Sequence, residues 1–281
     1  MARERLGRDA VVAAYVLAAL VALAFLLLPI VAVFARTSPA RLVDQLSNPV
    51  VRDAFVVSAK TSLLAQLLIV VFGTPAALLL AGRRFRGHSL AVTLVELPLV
   101  LPPAVAGIGL LAAFGRTGLL GSSLSALGVT LPFTQAAVTI AVAYVASPLY
   151  VRQAIAAFEA TDASLAAASR TLGAGPVRTF FRVVLPLARG GLVAGLALSF
   201  ARGLGEFGAT IMFAGSLQRV TQTLPLAIYA EFDQNFDATL AMSGVLVLLS
   251  IALLVALRIG LTWQRSTSTT SPSLFGATTS G

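Results

Sequence analysis

The feature that most constrains this chain is a series of apolar stretches, each long enough to cross a lipid bilayer. Residues 10–34 contain no charged side chain, and five further stretches follow: 56–81, 90–114, 133–150, 190–214 and 239–261. A bilayer-spanning helix needs about 20 mostly apolar residues. Only 11% of the chain is charged, against about 25% in soluble domains. The sequence therefore predicts an all-α polytopic membrane protein with six transmembrane helices.

The start of the chain is basic, with Arg3, Arg5 and Arg8 before the first apolar stretch. A secretory signal peptide has an apolar core of about 7–15 residues and a small-residue cleavage site. Here the apolar stretch is longer and no convincing cleavage site follows it. We expect an uncleaved first span, and then an outer loop with a short interfacial helix over 35–55.

The third apolar stretch is interrupted by Pro98, Pro102 and Pro103. Each proline lacks a backbone donor and bends or breaks a helix, which membrane helices tolerate where neighbours or water satisfy the freed carbonyls. Two interpretations of Pro102 and Pro103 stay open: a kink needed for packing, or a broken helix that lines a transport route.

The fifth stretch contains two ionisable residues, Arg202 and Glu206. Residues four apart share a helical face, so the two side chains can pair and Glu206 would be neutralised. The pair either fixes the fifth span against its neighbours or lies near a pathway or gate. The small residues around it, Gly203, Gly205 and Gly208, allow close helix approach or local bending.

The distribution of basic residues predicts the orientation of the spans. Thirteen arginines fall on the side of the N-terminus and five on the other side, so the positive-inside rule predicts that both termini are cytoplasmic. The first group is Arg3, Arg5, Arg8, Arg83, Arg84, Arg86, Arg152, Arg170, Arg178, Arg182, Arg189, Arg258 and Arg265; the second is Arg36, Arg41, Arg52, Arg116 and Arg219. The formal charge of +9 then faces the cytoplasmic leaflet, which argues against a nucleic-acid partner.

A long polar segment, residues 158–188, separates the fourth and fifth spans on the predicted cytoplasmic side. Its Ala-rich first part, the break from Gly173 to Pro176 and a second helical run to Leu185 and Pro186 predict helix, turn, helix. It is either a solvated connector or a segment that meets a cytoplasmic partner.

The spacing inside this segment is specific. Ala167-Ala168-Ser169, three residues, Gly173, nine residues and Val183-x-Leu185-Pro186 resemble the signature of ABC importer permeases, in which a Glu-Ala-Ala triplet stands first. Ala167 departs from that pattern, so any ion pair of the glutamate is absent. The resemblance implies a coupling helix that docks on an ATPase subunit. The candidate coupling residues are Ala167, Ala168, Ser169, Arg170, Leu172, Gly173, Ala174, Gly175, Pro176, Leu185 and Pro186.

Two further stretches, ELPLVLPPAVAGIG at 96–109 and GLGEFGATIMFAG at 203–215, resemble the molybdate branch of this type I importer family. Ser216 and a shifted arginine depart from that branch. The candidate pathway or gate residues are Pro102, Pro103, Arg202, Gly205, Glu206, Gly208 and Thr210.

The resemblance implies a transmembrane subunit that imports molybdate, and tungstate alongside, by alternating access in a bacterial inner membrane. It implies as partners a second copy of the chain, ATPase subunits that hold ATP and Mg²⁺, an extracytoplasmic oxyanion-binding protein and lipid. The alternatives are a sulfate or thiosulfate importer permease and an ATP-independent secondary transporter, although no internal repeat typical of secondary transporters is convincing.

The chain itself offers little catalytic chemistry. It lacks a phosphate-binding Gly-rich loop followed by Lys and Ser or Thr, its one histidine is His88, and it has no cysteine. We therefore expect no catalytic residue, no metal site and no cofactor on this chain. The expected division is a first span with its flanks over 1–54, a permease core over 55–262 and a disordered cytoplasmic tail over 263–281.

Overall fold

The computed structural model describes residues 2–36, 39–82 and 85–268, in which every regular element is helical. The helices are α1 (Ala2–Ala35), α2 (Pro39–Gln45), α3 (Pro49–Gly82), α4 (His88–Val100), α5 (Pro103–Phe114), α6 (Gly121–Ala126), α7 (Gln135–Glu159), α8 (Ala163–Thr171), α9 (Pro176–Thr179), α10 (Leu185–Leu204), α11 (Gly208–Ala214), α12 (Leu224–Glu231) and α13 (Phe236–Ser268); a π-helical turn, Phe180–Val184, joins α9 to α10.

Five segments of the described chain are long and apolar enough to cross a membrane, and the bent pair α4–α5 makes a sixth if it counts as one span. The other spans are α1, α3, α7, the continuous segment from α9 to α10, and α13. The predicted all-α architecture with six spans is confirmed. Side chains of α1 from residue 11 to 32 are exposed, because this helix touches little of its own chain besides α13.

The centre of the fold is α7, which packs against α3, α4, α5, α10 and α11. Its N-terminus is capped by Thr134, whose Oγ1 accepts from the Ala137 N–H at 3.3 Å. Small residues bring α10 close: a Cβ added to Gly195 would lie 2.8 Å from Gln153 Cβ, and one added to Gly191 would lie 2.5 Å from Ala157 Cβ. Close backbone approach between small residues is a common way for helices to pack in lipid.

The third span is two helices and not one kinked helix. The axes of α4 and α5 differ in direction by 114°. Leu101 is extended, with φ −65° and ψ 133°, because a following proline disfavours the helical conformation. Pro102 and Pro103 together remove two donors, so the helical ladder cannot cross this point.

The fifth span also differs from the sequence prediction of 190–214. The helix ends at Leu204, and α11 starts after a three-residue break, at Gly208. Gly205 has poor helix propensity, and the Glu206 carboxylate accepts the Ala209 N–H at 2.8 Å. That bond supplies a new helix start, which explains why the chain breaks here.

The fifth span begins earlier than the sequence predicts. Pro186 does not end a helix; the helical run from Pro176 continues through it into the span. In the π-helical turn the Leu185 N–H reaches Phe180 O, five residues back. This wider turn lies just before Pro186, which has no N–H to give, and so lets the helix pass the proline.

The helices that follow the two chain breaks, α5 and α11, contact each other. A Cβ added to Gly107 of α5 would lie 2.6 Å from Ala209 O and 2.7 Å from Met212 Cβ. A Cβ added to Gly208 of α11 would lie 2.7 Å from Pro103 Cβ. We call this contact the α5–α11 seam; two glycines make it as close as it is.

The predicted loops contain further helices. The interfacial helix expected in 35–55 corresponds to α2, and the segments 115–131 and 215–238, which the sequence predicts to be outer loops, contain α6 and α12. The N-terminus of α12 docks on α3, where Ser58 Oγ accepts the Leu224 N–H at 2.8 Å.

Several charge assignments lie outside the described residues. They include residues 83–84, residues 269–281 of the tail, and the side chains of Arg3, Arg5, Arg8, Arg41, Arg258 and Arg265. The last helix continues to Ser268, because no glycine or proline lies between residues 261 and 268 to end it. The sequence prediction instead places a disordered tail from residue 263 onwards.

Gly107→Ala should destabilise the α5–α11 seam, since its added methyl group meets backbone atoms that cannot move away cheaply. The expected loss is about 1–3 kcal/mol, as for other overpacked sites. The measurement is thermal unfolding of the detergent-solubilised protein. Gly109→Ala is the matched control, because nothing lies within 4 Å of its added Cβ. Equal melting temperatures of the two variants would contradict the close packing of α5 against α11.

Candidate functional site

The segment between α7 and α10 is built around the short helix α8. Asp162 caps its N-terminus, with Oδ1 accepting the Ser164 N–H at 2.8 Å. That backbone hydrogen bond holds the pKa of Asp162 below its ordinary value. The charged cap is therefore present at neutral pH and is lost only as the pH falls through this lowered pKa.

The C-terminus of α8 depends on Gly173. Gly173 has φ +85°; its N–H reaches Arg170 O at 2.9 Å and the Ala174 N–H reaches Ser169 O at 3.1 Å. These two bonds form a Schellman motif, in which the residue after the cap must be left-handed. Glycine is the residue that adopts this conformation without steric cost.

The tip of this segment presents apolar side chains to solvent. Leu172 is 88% exposed, Val177 is 71% exposed and Phe181 is 61% exposed. Arg170 and Arg178 are also exposed beside them. Exposed apolar side chains grouped beside arginines, on a turn held by backbone hydrogen bonds, make this tip a candidate interaction surface.

The structure brings together most of the predicted coupling residues and separates two of them. Ala167 to Arg170 lie in α8, Leu172 to Gly175 form the turn, and Pro176 begins α9. Leu185 and Pro186 instead lie in the first turn of α10, where Leu185 packs on the cluster that contains Tyr150. They belong to the span and not to the exposed tip.

The second candidate site is the junction of α10 and α11. Glu206 is buried, with 1% of its side chain exposed, and its Oε2 lies 2.7 Å from Arg202 Nη1. Its Oε1 accepts the Ala209 N–H. The predicted pairing is present although Glu206 lies beyond the end of α10. Both carboxylate oxygens are engaged, and the negative charge sits at the positive end of α11.

The predicted gate residues converge from two distant parts of the sequence. Pro102 and Pro103 stand at the start of α5, and Gly205, Glu206, Gly208 and Thr210 stand at the start of α11. Thr210 is fully buried, and its hydroxyl has no partner among the described atoms. Sequence reasoning missed Gly107, whose only signal was a small residue after a proline pair.

Other chemistry is sparse in the part of the chain that the structure describes. No group of three His, Cys, Asp or Glu side chains there could hold a metal ion. His88 Nε2 lies 2.8 Å from Leu80 O, so the imidazole ties the start of α4 to the end of α3.

Comparison with known proteins agrees with this architecture. A family model described as "Binding-protein-dependent transport system inner membrane component" matches residues 69–264. The chain belongs to this family. It is therefore a multi-pass inner-membrane permease subunit.

Two relatives of this permease carry names that differ in substrate. The chain is 43% identical over 244 residues to "Molybdenum transport system permease protein ModB" of Mycobacterium tuberculosis, covering 87% of this chain and 92% of the relative. It is 34% identical over 236 residues to "Sulfate transport system permease protein CysT" of Salmonella typhimurium, covering 83% and 85%.

The permease fold is also found in a solved structure of a bacterial alginate ABC transporter in complex with a substrate-bound periplasmic protein. The TM-score is 0.68, with 17% identity, and the match covers 96% of this chain and 99% of that chain. At this identity the match supports the fold alone.

Glu206→Ala should destabilise the permease strongly, because it leaves Arg202 and the Ala209 N–H without their partner. Breaking a buried ion pair costs about 3–5 kcal/mol, and the partial exposure of Arg202 places this case at the lower end. The measurement is thermal unfolding in detergent.

The control for this variant is Asp53→Ala. It breaks the pair with Arg219, whose side chain is 75% exposed against 24% for Asp53, and such pairs contribute about 0–1 kcal/mol. An equal loss in both variants would contradict a special role of the Arg202–Glu206 pair.

Proposed function

We propose that this permease is the membrane-spanning subunit of an ATP-driven importer for molybdate, with tungstate as a second substrate. The observation that carries the proposal is the 43% identity to a permease named for molybdenum transport over most of both chains. Phe207, Gly208, Ala209 and Thr210, which follow Glu206, resemble the molybdate branch, and Gly208 and Ala209 make contacts of the α5–α11 seam.

The main alternative substrate is sulfate or thiosulfate, which the relative named for sulfate transport favours. Its identity is lower, at 34%. A secondary transporter working without ATP is a poorer match, because the capped helix α8 with its exposed apolar tip would then have no partner to meet.

The transport mechanism in this proposal needs no bond chemistry from the permease. ATP and Mg²⁺ bind to the partner ATPase, whose closure moves α8. The movement passes along the helical run from Pro176 to Leu204 to the α5–α11 seam, which acts as the outer gate. Partner contacts then bias two packings of similar energy, inward-facing and outward-facing.

The remaining partners are proposed from surfaces that the single chain leaves exposed. The apolar side chains of α1 from residue 11 to 32 are exposed in the single chain, and lipid and a second copy of the permease would cover them. An extracytoplasmic oxyanion-binding protein would dock on the outer segments that contain α6 and α12. Both termini are cytoplasmic in this arrangement, as the distribution of arginines predicts.

The substrate test is uptake of labelled molybdate into vesicles that contain the permease, its candidate ATPase and its binding protein. We expect uptake that requires ATP and resists excess sulfate, because the ATPase supplies the energy and the binding protein selects the oxyanion.

Each contrary result has a defined meaning. If excess sulfate abolishes uptake, the chain is still a subunit of an ATP-driven importer, but its substrate is sulfate. Uptake that persists without ATP contradicts the importer proposal and favours a secondary transporter.

The coupling role of α8 predicts a difference between two neighbouring glycines. Gly173→Ala forces a side chain into a left-handed conformation at a cost of about 1–2 kcal/mol, which disturbs the turn at the tip. We expect substrate-stimulated ATP hydrolysis and uptake to fall severalfold while membrane insertion is retained.

Gly175→Ala is the matched control in the same turn. Nothing lies within 4 Å of an added Cβ at either position, but Gly175 has φ −67°, which any residue adopts. Wild-type coupling in Gly173→Ala would count against the assignment, and so would an equal loss in Gly175→Ala.

A further inference from the structure

An ion pair joins α4 to α7 away from the α5–α11 seam and from the tip of α8. Arg152 Nε lies 3.0 Å from Glu96 Oε1, and the two side chains are 58% and 37% exposed. Both residues lie within spanning helices, seven residues before the end of α7 and eight after the start of α4. The sequence prediction ends the fourth span at residue 150 and counts Arg152 with the cytoplasmic arginines, but α7 continues to Glu159 and includes it. At 1.5 Å per residue they are about 10–12 Å from those helix ends.

This exposure is unusual for charges within a span. Exposing a charged side chain to hydrocarbon costs several kcal/mol, so ionisable residues in spans normally face protein or water. By contrast, the Arg202–Glu206 pair keeps its carboxylate buried. The face that carries Arg152 and Glu96 therefore borders an aqueous space or a protein partner.

The neighbours of Arg152 locate that face. Val151 packs towards α3, where it lies 3.2 Å from a Cβ added to Gly73, and Gln153 packs against Gly195 of α10. Arg152 itself reaches α4. It consequently stands on the face of α7 between α4 and α10. These are the two helices whose chains break and continue into the α5–α11 seam, so this face leads from the cytoplasmic side to the seam.

The pair leaves most of the guanidinium available. Its contact with Glu96 is made by Nε, and 58% of the Arg152 side chain is exposed, so the terminal nitrogens can be reached from this face. A guanidinium has five N–H donors in a planar fork that suits two oxygens of one oxyanion. Arg202 is less accessible, because 33% of its side chain is exposed and the buried Glu206 carboxylate holds its Nη1 at 2.7 Å.

We propose that Arg152 is a transit binding residue for the tetrahedral oxyanion, and that Glu96 limits how tightly the anion binds there. A doubly charged oxyanion would bind at the terminal nitrogens, while the nearby Glu96 charge repels it and favours its release. The inference rests on the proposed import of an oxyanion. A site on a transport route must bind strongly enough to receive its ligand and weakly enough to release it.

The test compares two substitutions that remove the same ion pair. Glu96→Gln should strengthen binding of labelled molybdate to the assembled permease–ATPase complex about tenfold, and Arg152→Gln should weaken it about tenfold or more, as expected for charge-assisted hydrogen bonds. Binding is measured at equilibrium in phosphatidylcholine nanodiscs without the binding protein. Uptake should fall in both variants, through slow release in the first and poor capture in the second.

A purely structural pair predicts a different result, because both substitutions break it equally. Shifts of molybdate affinity in the same direction, or no shift, would overturn the proposal. Arg189→Gln is the control: Arg189 lines the apolar groove between α3 and α10 and not this face, so its loss should leave molybdate affinity unchanged. Equal melting temperatures of the variants would exclude unfolding as the cause.

Two further measurements distinguish an oxyanion site from a lipid site and from a failure of import itself. A lipid phosphate offers the same oxygen chemistry, so opposite shifts that appear only in nanodiscs with anionic lipid would assign the pair to a lipid headgroup and overturn the proposal. Uptake by the wild-type complex tests the importer separately. If the wild-type complex imports molybdate but both substitutions shift molybdate affinity in the same direction, only the role of Arg152 is overturned. If the wild-type complex imports no oxyanion, the proposed function is overturned.

Discussion

The need to satisfy every backbone polar group inside a membrane is the constraint on which this structure depends. A helix that stops within a span exposes N–H and C=O groups that lipid cannot bond. The described residues contain two helix breaks, one inside the bent pair α4–α5 after Val100 and one at the end of the span Pro176–Leu204. The helices that follow these breaks pack against each other in the α5–α11 seam. The pair Pro102 and Pro103 brings no donor to satisfy, and Glu206 accepts a donor at the start of α11. The breaks are tolerated because each lies in protein.

The low dielectric that makes such breaks costly also separates the charged groups into two kinds. Glu206 has both oxygens engaged and is sealed from solvent, so its charge stabilises one packing of the seam and is not available to a ligand. Arg152 is held by a single contact and remains open. This division suits a route for anions, because the Glu206 carboxylate is buried while the Arg152 guanidinium is exposed. The free energy that either ion pair contributes depends more on how much water surrounds it than on how far apart its two residues lie in the sequence.

Much of the fold follows from the sequence because apolar length is a strong signal. The spans, the pairing of Arg202 with Glu206 and the turn at Gly173 could all be predicted from local patterns. The 114° bend at Leu101 could not, because prolines indicate a break but not its direction, which α11 sets by packing. The end of α10 at Leu204 could not be predicted either, since Glu206 replaces the helical bond only through a tertiary arrangement. The link of Arg152 to Glu96 joins residues 56 positions apart, and no local pattern indicates it.

The helical run from Pro176 to Leu204 connects the two candidate sites mechanically. Its 29 residues correspond to about 43 Å at 1.5 Å per residue, with the capped helix α8 at one end and Glu206 at the other. A rigid rod of this length transmits a displacement of α8 to the seam, whereas a flexible loop would absorb it. The π-helical turn at Phe180–Val184 is the one irregular point in the rod, and Phe158 braces it, with ring centroids 6.4 Å from Phe180. Since Phe158 belongs to α7, the same contact fixes the rod to the centre of the fold. In the proposed mechanism, a displacement of α8 would therefore turn the rod about α7, past the face that carries Arg152.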